Sequence, residues 1–237
     1  VKNIIYAKAY NSRKIIIRGK LDHKDKIDLE KVENVISNIK DLMIQIPYSP
    51  DKDSIRGIEG TIARQYFSVL DEFIVKQRED FYFIERTKRP PRDRFNAMLS
   101  FMYSILTNSI ASALEGVGID SYAGFFHTDR PGRVSMALDI IEEMRAFIVD
   151  KFCLSMINLN RINKNNFEIK ENGDCLLNDK GREIILQNWN KKQQEEILHP
   201  FLEEKIKIGL LPHVQAQLLN SYIRGDIENY PPFMIGG

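Results

Sequence analysis

The sequence predicts a mainly α-helical catalytic domain carrying one small β-hairpin. Three observations predict it. Apolar residues recur at helical spacing through most of the 237 residues. Aspartates and prolines stand where helices would begin, and glycines where they would end. Only one segment shows two short strand-like runs around a turn dipeptide.

The chain opens without Met, in the run Val1-Lys2-Asn3-Ile4-Ile5-Tyr6, which reads as the middle of a protein. Residues 1–24 are therefore expected to be a linker or helix leading from an absent N-terminal part, with the domain occupying 25–237. Asp28 can cap a helix reaching about residue 44, with Val32, Val35, Ile39 and Leu42 among its apolar positions; Pro47 and Pro50 break the pattern. A second helix should start near 51–54 and run through Ala63, Tyr66 and Phe67 to about residue 73. Gly57 and Gly60 lie inside it, flanking Glu59, and each costs about 1 kcal/mol relative to alanine. Either this helix packs closely against another there, or the missing side chains clear space beside Glu59 for a metal and a phosphate.

Residues 85–94 (ERTKRPPRDR) form a loop, because Pro90-Pro91 cannot continue a helix. Asp93 then caps a long helix ended by Gly116 and Gly118; its apolar residues cover most of its circumference, so it should be the buried central helix. A loop over 120–133 carries His127, and helix follows from about 134 to 159 with Asp139 and Glu142 in its early turns. Phe167-Glu168-Ile169 and Cys175-Leu176-Leu177 flank Asn172-Gly173 as a hairpin near 167–177. Helix resumes near Asp179, and Pro212 to Arg224 forms the last one, with Gly225 after its end. The tail Tyr230-Pro231-Pro232-Phe233 is irregular.

Composition restricts the function classes. Hydrophobic residues make up 43% of the chain, enough for a substantial core. Lys+Arg number 34 against 33 Asp+Glu, a net charge of +1, which is not the balance of a protein that coats nucleic acid. Any DNA contact must come from local patches, of which 85–94 is the densest. Cys153 and Cys175 form no C-x-x-C pair, so a reducing compartment, the cytoplasm, is expected. No signal-peptide pattern opens the chain, and the apolar runs fall short of a membrane span.

Three side chains of metal-ligand type are scattered along this scaffold: Glu59, His127 and Glu142. Brought together from two helices and a loop, two carboxylates and an imidazole would hold a divalent cation, Mg²⁺ or Mn²⁺ rather than a structural zinc. Asp139 and Glu142, three apart, share one helix face. Acids near a helix start are ordinarily solvated and favoured by the helix dipole. Here Met136, Ala137, Leu138, Ile140 and Ile141 surround Asp139, and unpaired carboxylates in so apolar a setting would be costly. His127 stands on a loop before Arg130 and Arg133, whereas His23, His199 and His213 read as structural. Arg64, Arg89, Arg92, Arg130 and Arg133 are candidate contacts to a DNA backbone.

Further short motifs stand in one order along nearly the whole chain. They include Asn3-Ile4-Ile5 with Lys8 and Asn11; Gly57-Ile58-Glu59-Gly60 followed by Ala63, Arg64, Tyr66 and Phe67; and Arg89-Pro90-Pro91 with Asp93 and Asn96. Gly124-Phe125-Phe126-His127-Thr128, Ala137-Leu138-Asp139 and Glu142-Glu143 continue the set, which ends with Arg224-Gly225-Asp226 and Tyr230-Pro231-Pro232-Phe233. In order and spacing this set resembles the CRISPR-associated integrase of the spacer-adaptation module, in the form found beside type I-C effector systems.

That resemblance implies a helical, metal-dependent DNA integrase or endonuclease. Glu59, His127 and Glu142 would be its metal ligands, and Asp139 an adjacent acid of the catalytic site. The reaction implied is transesterification of the 3′-hydroxyl ends of captured DNA into the CRISPR repeat. It further implies an N-terminal β-rich domain through which protomers form a homodimer, a small ferredoxin-like partner bridging two dimers, and in type I-C systems a prespacer-trimming nuclease. A general metal-dependent nuclease, with water as nucleophile, needs little change to such a site. A DNA-binding scaffold without chemistry is the non-enzymatic alternative.

Overall fold

The computed structural model describes residues 1–128 and 130–236. Residues 129 and 237, within the predicted loop and at the end of the predicted domain, lie outside them. Helix α1 (Lys2–His23) is the first of eight α-helices among the described residues. The opening segment, expected as linker or helix, is thus a helix, and it runs through the core. Its buried Ile4, Ile5, Ala9 and Ile16 pack against α5 (Ser135–Arg145) and α2 (Leu29–Gln45), so the same face carries Lys8 and Asn11 inside.

The predicted caps Asp28 and Asp93 hold, and Asp51 caps the helix expected to start near 51–54. Asp28 accepts from Lys31 N at 3.0 Å at the start of α2, whose Val32, Val35, Ile39 and Met43 form its buried stripe. Asp51 accepts from Ser54 N at 2.8 Å to open α3 (Lys52–Phe67). The second predicted helix ends earlier than residue 73. Ser68 Oγ takes the Gln65 carbonyl at 2.8 Å and Val69 N turns to Tyr66 O at 3.4 Å, so Leu70–Phe73 is a separate 3₁₀ turn. Burial of Leu70 and Phe73 preserves the helical spacing that suggested a longer element.

Asp93, accepting from Asn96 N at 2.7 Å, starts α4 (Arg94–Gly116). By length and composition alone α4 could cross a membrane; its Met98, Leu99, Met102, Leu106, Ile110 and Leu114 are buried, and it packs against α5 and α8 (Leu211–Arg224) as the central helix. The helix predicted over 134–159 is α5, a π turn (Ala146–Asp150) and α6 (Lys151–Asn158) in succession.

Strands β1 (Phe167–Ile169) and β2 (Cys175–Leu177) pair antiparallel, with Phe167 opposite Leu177. Their connection is longer than the Asn-Gly pair: Lys170 N bonds Asp174 O and Gly173 N bonds Lys170 O, both at 2.8 Å, with Gly173 at φ +81°. That is a three-residue loop with glycine in the left-handed position. Helix α7 (Asp179–Gln193) follows, capped by Asn178. Next comes a correction to the expectation of one hairpin: β3 (Glu196–His199) and β4 (Glu204–Lys207) form a second, with Ile197 opposite Ile206. It has no turn dipeptide, its strands are largely exposed, and its turn places Glu203 rather than a glycine at φ +56°. Gly225 at φ +80° closes α8, and the irregular tail buries Tyr230 and Phe233.

Candidate metal and phosphate site

Glu59 projects from the second turn of α3. One turn earlier, Arg56 donates to the Phe126 carbonyl at 2.8 Å and lies over the Phe126 ring, tying the His127 loop to this helix. From the other side the loop is held by Asp139 of α5. Asp139 Oδ2 accepts from Phe125 N (2.7 Å) and Phe126 N (2.9 Å), and Oδ1 from His127 N (2.9 Å). The same Oδ1 lies 2.6 Å from His127 Nδ1, and the Asp139 side chain is 0% exposed. Nδ1 therefore carries the proton facing Asp139, leaving the Nε2 lone pair free on the opposite edge of the ring. Nε2 lies 4.0 Å from Glu142 Oε1. Gly124 permits the loop to come this close: a Cβ there would lie 2.6 Å from Ser135 Cβ and 3.1 Å from Asp139 Oδ2.

Glu142 and Glu59 are joined by Lys8 of α1. The Lys8 ammonium contacts Glu59 Oε1 and lies 2.6 Å from Glu142 Oε2. Arg145 Nη2 donates to Glu142 Oε1 at 2.6 Å. Burial alone would raise the Glu142 carboxyl; the charges of Arg145 and Lys8 outweigh it and lower the pKa to about 2. Arg145 is braced in turn. Its guanidinium lies 4.8 Å over the Tyr103 ring, and the hydroxyls of Tyr103 (2.5 Å) and Tyr66 (2.8 Å) both donate to buried Asp150.

The structure thus joins Glu59 to Glu142 through Lys8, sets His127 Nε2 4.0 Å from Glu142 Oε1 and places Asp139 behind His127. Asp139 is occupied by the loop and the imidazole, so Glu142 is the acid of the pair that faces Glu59. Among the described residues no three His, Cys, Asp or Glu side chains stand ready to ligate an ion as they are. The cation between the two carboxylates is instead the Lys8 ammonium. The donor set nevertheless fits a hard divalent ion: two carboxylates, one of them bridged to the other only by the Lys8 ammonium, stand beside an imidazole with an unshared lone pair. The two glycines beside Glu59 are not packing sites, since a Cβ on Gly57 or Gly60 would meet nothing within 4 Å. Space is open there.

The predicted DNA-contact arginines are dispersed. Arg64 lies exposed on α3 and donates to Thr61 Oγ1 at 3.0 Å. Arg92 donates to Asn172 O at 2.6 Å and lies 3.3 Å from Asp174, joining the basic loop to the first hairpin. Arg89 and Arg130 are exposed, and Arg133 is half-buried. Sequence reasoning missed the bridging role of Lys8. The available signal was a lysine between Ile4-Ile5 and Asn11, on the face of α1 that is buried.

The family model for CRISPR associated protein Cas1 matches residues 1–191. CRISPR-associated endonuclease Cas1 1 of Chlorobaculum tepidum is 45% identical over 230 residues, covering 97% of this chain and 67% of its own length. The protein of the same name from Moorella thermoacetica is 40% identical over 233 residues, covering 98% of this chain and 68% of its own. The chain therefore spans about two thirds of the length of these relatives. Among solved structures, a casposase bound to an integration product superposes with a TM-score of 0.83 at 23% identity, covering 100% of this chain and 64% of that one. A Cas6-RT-Cas1–Cas2 complex superposes at 0.81 and 23% identity, covering 99% of this chain and 24% of that one. At that identity the likeness is one of fold.

Proposed function

The chain belongs to the Cas1 family, and from that premise we propose that it is the catalytic domain of a metal-dependent DNA integrase/endonuclease of CRISPR adaptation. The observation that carries this is the Asp139–His127 pair, which aims Nε2 toward Glu142 while Lys8 holds Glu142 against Glu59. Glu59, His127 and Glu142 would hold Mg²⁺ or Mn²⁺. When bound, such an ion supplies positive charge that stabilises a phosphoryl transition state and makes a nearby hydroxyl easier to deprotonate.

The residues of the chain have separable tasks. Asp139 fixes the tautomer and direction of His127. Lys8 compensates the repulsion between two adjacent carboxylates, and Arg145 holds Glu142 ionised. The space beside Gly57 and Gly60 admits a DNA backbone, and Arg64, Arg89, Arg92, Arg130 and Arg133 supply phosphate contacts around it. In the joining reaction the 3′-hydroxyl oxygen of the incoming DNA bonds to a repeat phosphorus. The phosphorus–O3′ bond of the repeat breaks, and the proton lost by the attacking hydroxyl is matched by one gained at the new 3′-end.

The substrates proposed are prespacer DNA and the CRISPR repeat. The partners proposed are a second copy of the protein, a small ferredoxin-like protein and a prespacer-trimming nuclease. A solved Cas6-RT-Cas1–Cas2 complex of this fold supports a Cas2-type protein partner. Cytoplasmic location follows from that role. Product analysis on branched DNA tests the reaction: with Mn²⁺ the chain should yield a joined strand, and Glu59→Ala should not. Free hydrolysed ends without any joint would identify a nuclease instead.

A further inference from the structure

The C-terminal tail ends directly behind the candidate site. Glu143, 0% exposed and adjacent to Glu142, is the centre of a buried network. Its Oε1 accepts from Tyr230 OH at 2.6 Å and from Gln215 Nε2 at 2.8 Å, and its Oε2 accepts from Phe233 N at 3.1 Å. Gln215 Nε2 also lies 2.8 Å from Tyr230 OH, and Gln215 Oε1 faces His199 Nε2 at 2.9 Å. Leu202 N donates to His199 Nδ1 at 3.2 Å, so Nε2 bears the proton that Gln215 accepts. α8 and the tail thereby converge on one carboxylate of α5, with the second hairpin joined to it through Gln215.

Asn11 completes the arrangement from α1, one turn beyond Lys8. Its Nδ2 donates to the carbonyls of Glu143 (2.6 Å) and Phe233 (2.8 Å), and its Oδ1 accepts from Ile235 N at 2.9 Å. The Phe233 ring fills the gap between Phe147 and His199. The tail is thus sewn to α1 and α5, the two helices that present Lys8 and Glu142 to each other. Directional hydrogen bonds to both helices add to packing in holding their register.

We propose that Glu143 and the tail segment 230–235 are positioning elements that fix Glu142 relative to Lys8 and so set the affinity of the site for its cation. This rests on the metal-site reading above. Tyr230, Gln215 and Asn11 act through Glu143 and touch neither substrate nor cation.

The test compares the full chain with Tyr230→Phe and Glu143→Gln. Mn²⁺ titration by electron paramagnetic resonance is followed alongside backbone hydrogen exchange over residues 5–12 and 138–146, melting temperature and DNA half-saturation. For Tyr230→Phe, melting should stay within about 5 °C of the parent. Exchange should quicken in both segments, and Mn²⁺ half-saturation should rise about tenfold with DNA half-saturation within about twofold. Parental exchange and parental Mn²⁺ half-saturation in Tyr230→Phe would overturn the proposal. If Glu143→Gln does not fold, Tyr230→Phe alone decides. If the parent itself binds no Mn²⁺, the metal reading has failed, and unchanged exchange in Tyr230→Phe would separately overturn the clamp.

Discussion

The carboxylate of Asp139 touches His127 twice, at its backbone N–H (2.9 Å) and at ring Nδ1 (2.6 Å), so one side chain fixes both where the imidazole stands and which way it faces. An acid three residues before Glu142 on the same helix thus has a different task from Glu142. Asp139→Asn keeps the volume but turns one acceptor into a donor, opposite N–H groups that also donate. Each buried group left unsatisfied costs about 1–3 kcal/mol. The variant should melt lower and lose at least about tenfold in joining rate, measured by thermal unfolding and by strand joining.

Lys8 is a cation standing where the two carboxylates meet. Lys8→Met removes its charge at nearly constant volume and leaves Glu59 and Glu142 to repel. Breaking so buried a pair should cost about 3 kcal/mol without metal. Added Mn²⁺ should then raise the melting temperature of Lys8→Met more than that of the parent, because no ammonium competes. An equal or smaller rise would count against a shared site.

Gly57 and Gly60 lie in open space on one face of α3. Gly60→Ala should stabilise the helix by up to about 1 kcal/mol, since the new methyl meets nothing. If DNA uses that space, the same change should weaken DNA binding and joining while raising the melting temperature. A stabilised variant with parental DNA affinity would show that the space serves no ligand.

Glu142 gives the fold an acid-sensitive contribution. Its folded pKa, about 2, lies below the ordinary 4.5, so folding releases protons and the contribution is full above about pH 4.5. It is lost as pH falls through about 2, and amounts to about 3 kcal/mol. In metal-free buffer the stability gap between the parent and Glu142→Gln should therefore shrink between pH 5 and pH 2, as followed by denaturant titration.

Local signals were the legible part of the sequence. Asp28, Asp51 and Asp93 act on backbone groups three residues away, and each starts its helix as read. Glu59, His127 and Glu142 were singled out through their place in an ordered set of motifs; the links through Lys8 and Asp139 come from the structure. Lys8, Asn11 and Tyr230 do their work across more than fifty residues of chain, and nothing in local spacing encodes such contacts. The hairpin at 196–207 was hidden for a related reason: its one buried strand residue, His199, is satisfied by Gln215 of α8 rather than by any turn or alternation of its own.

Pulsed electron paramagnetic resonance on the Mn²⁺-loaded chain tests the central claim most directly. Nitrogen coupling from a coordinated imidazole should be present in the parent and absent in His127→Ala, with both proteins folded. Mn²⁺ bound without nitrogen coupling, or with coupling that survives His127→Ala, would contradict a site built from Glu59, His127 and Glu142.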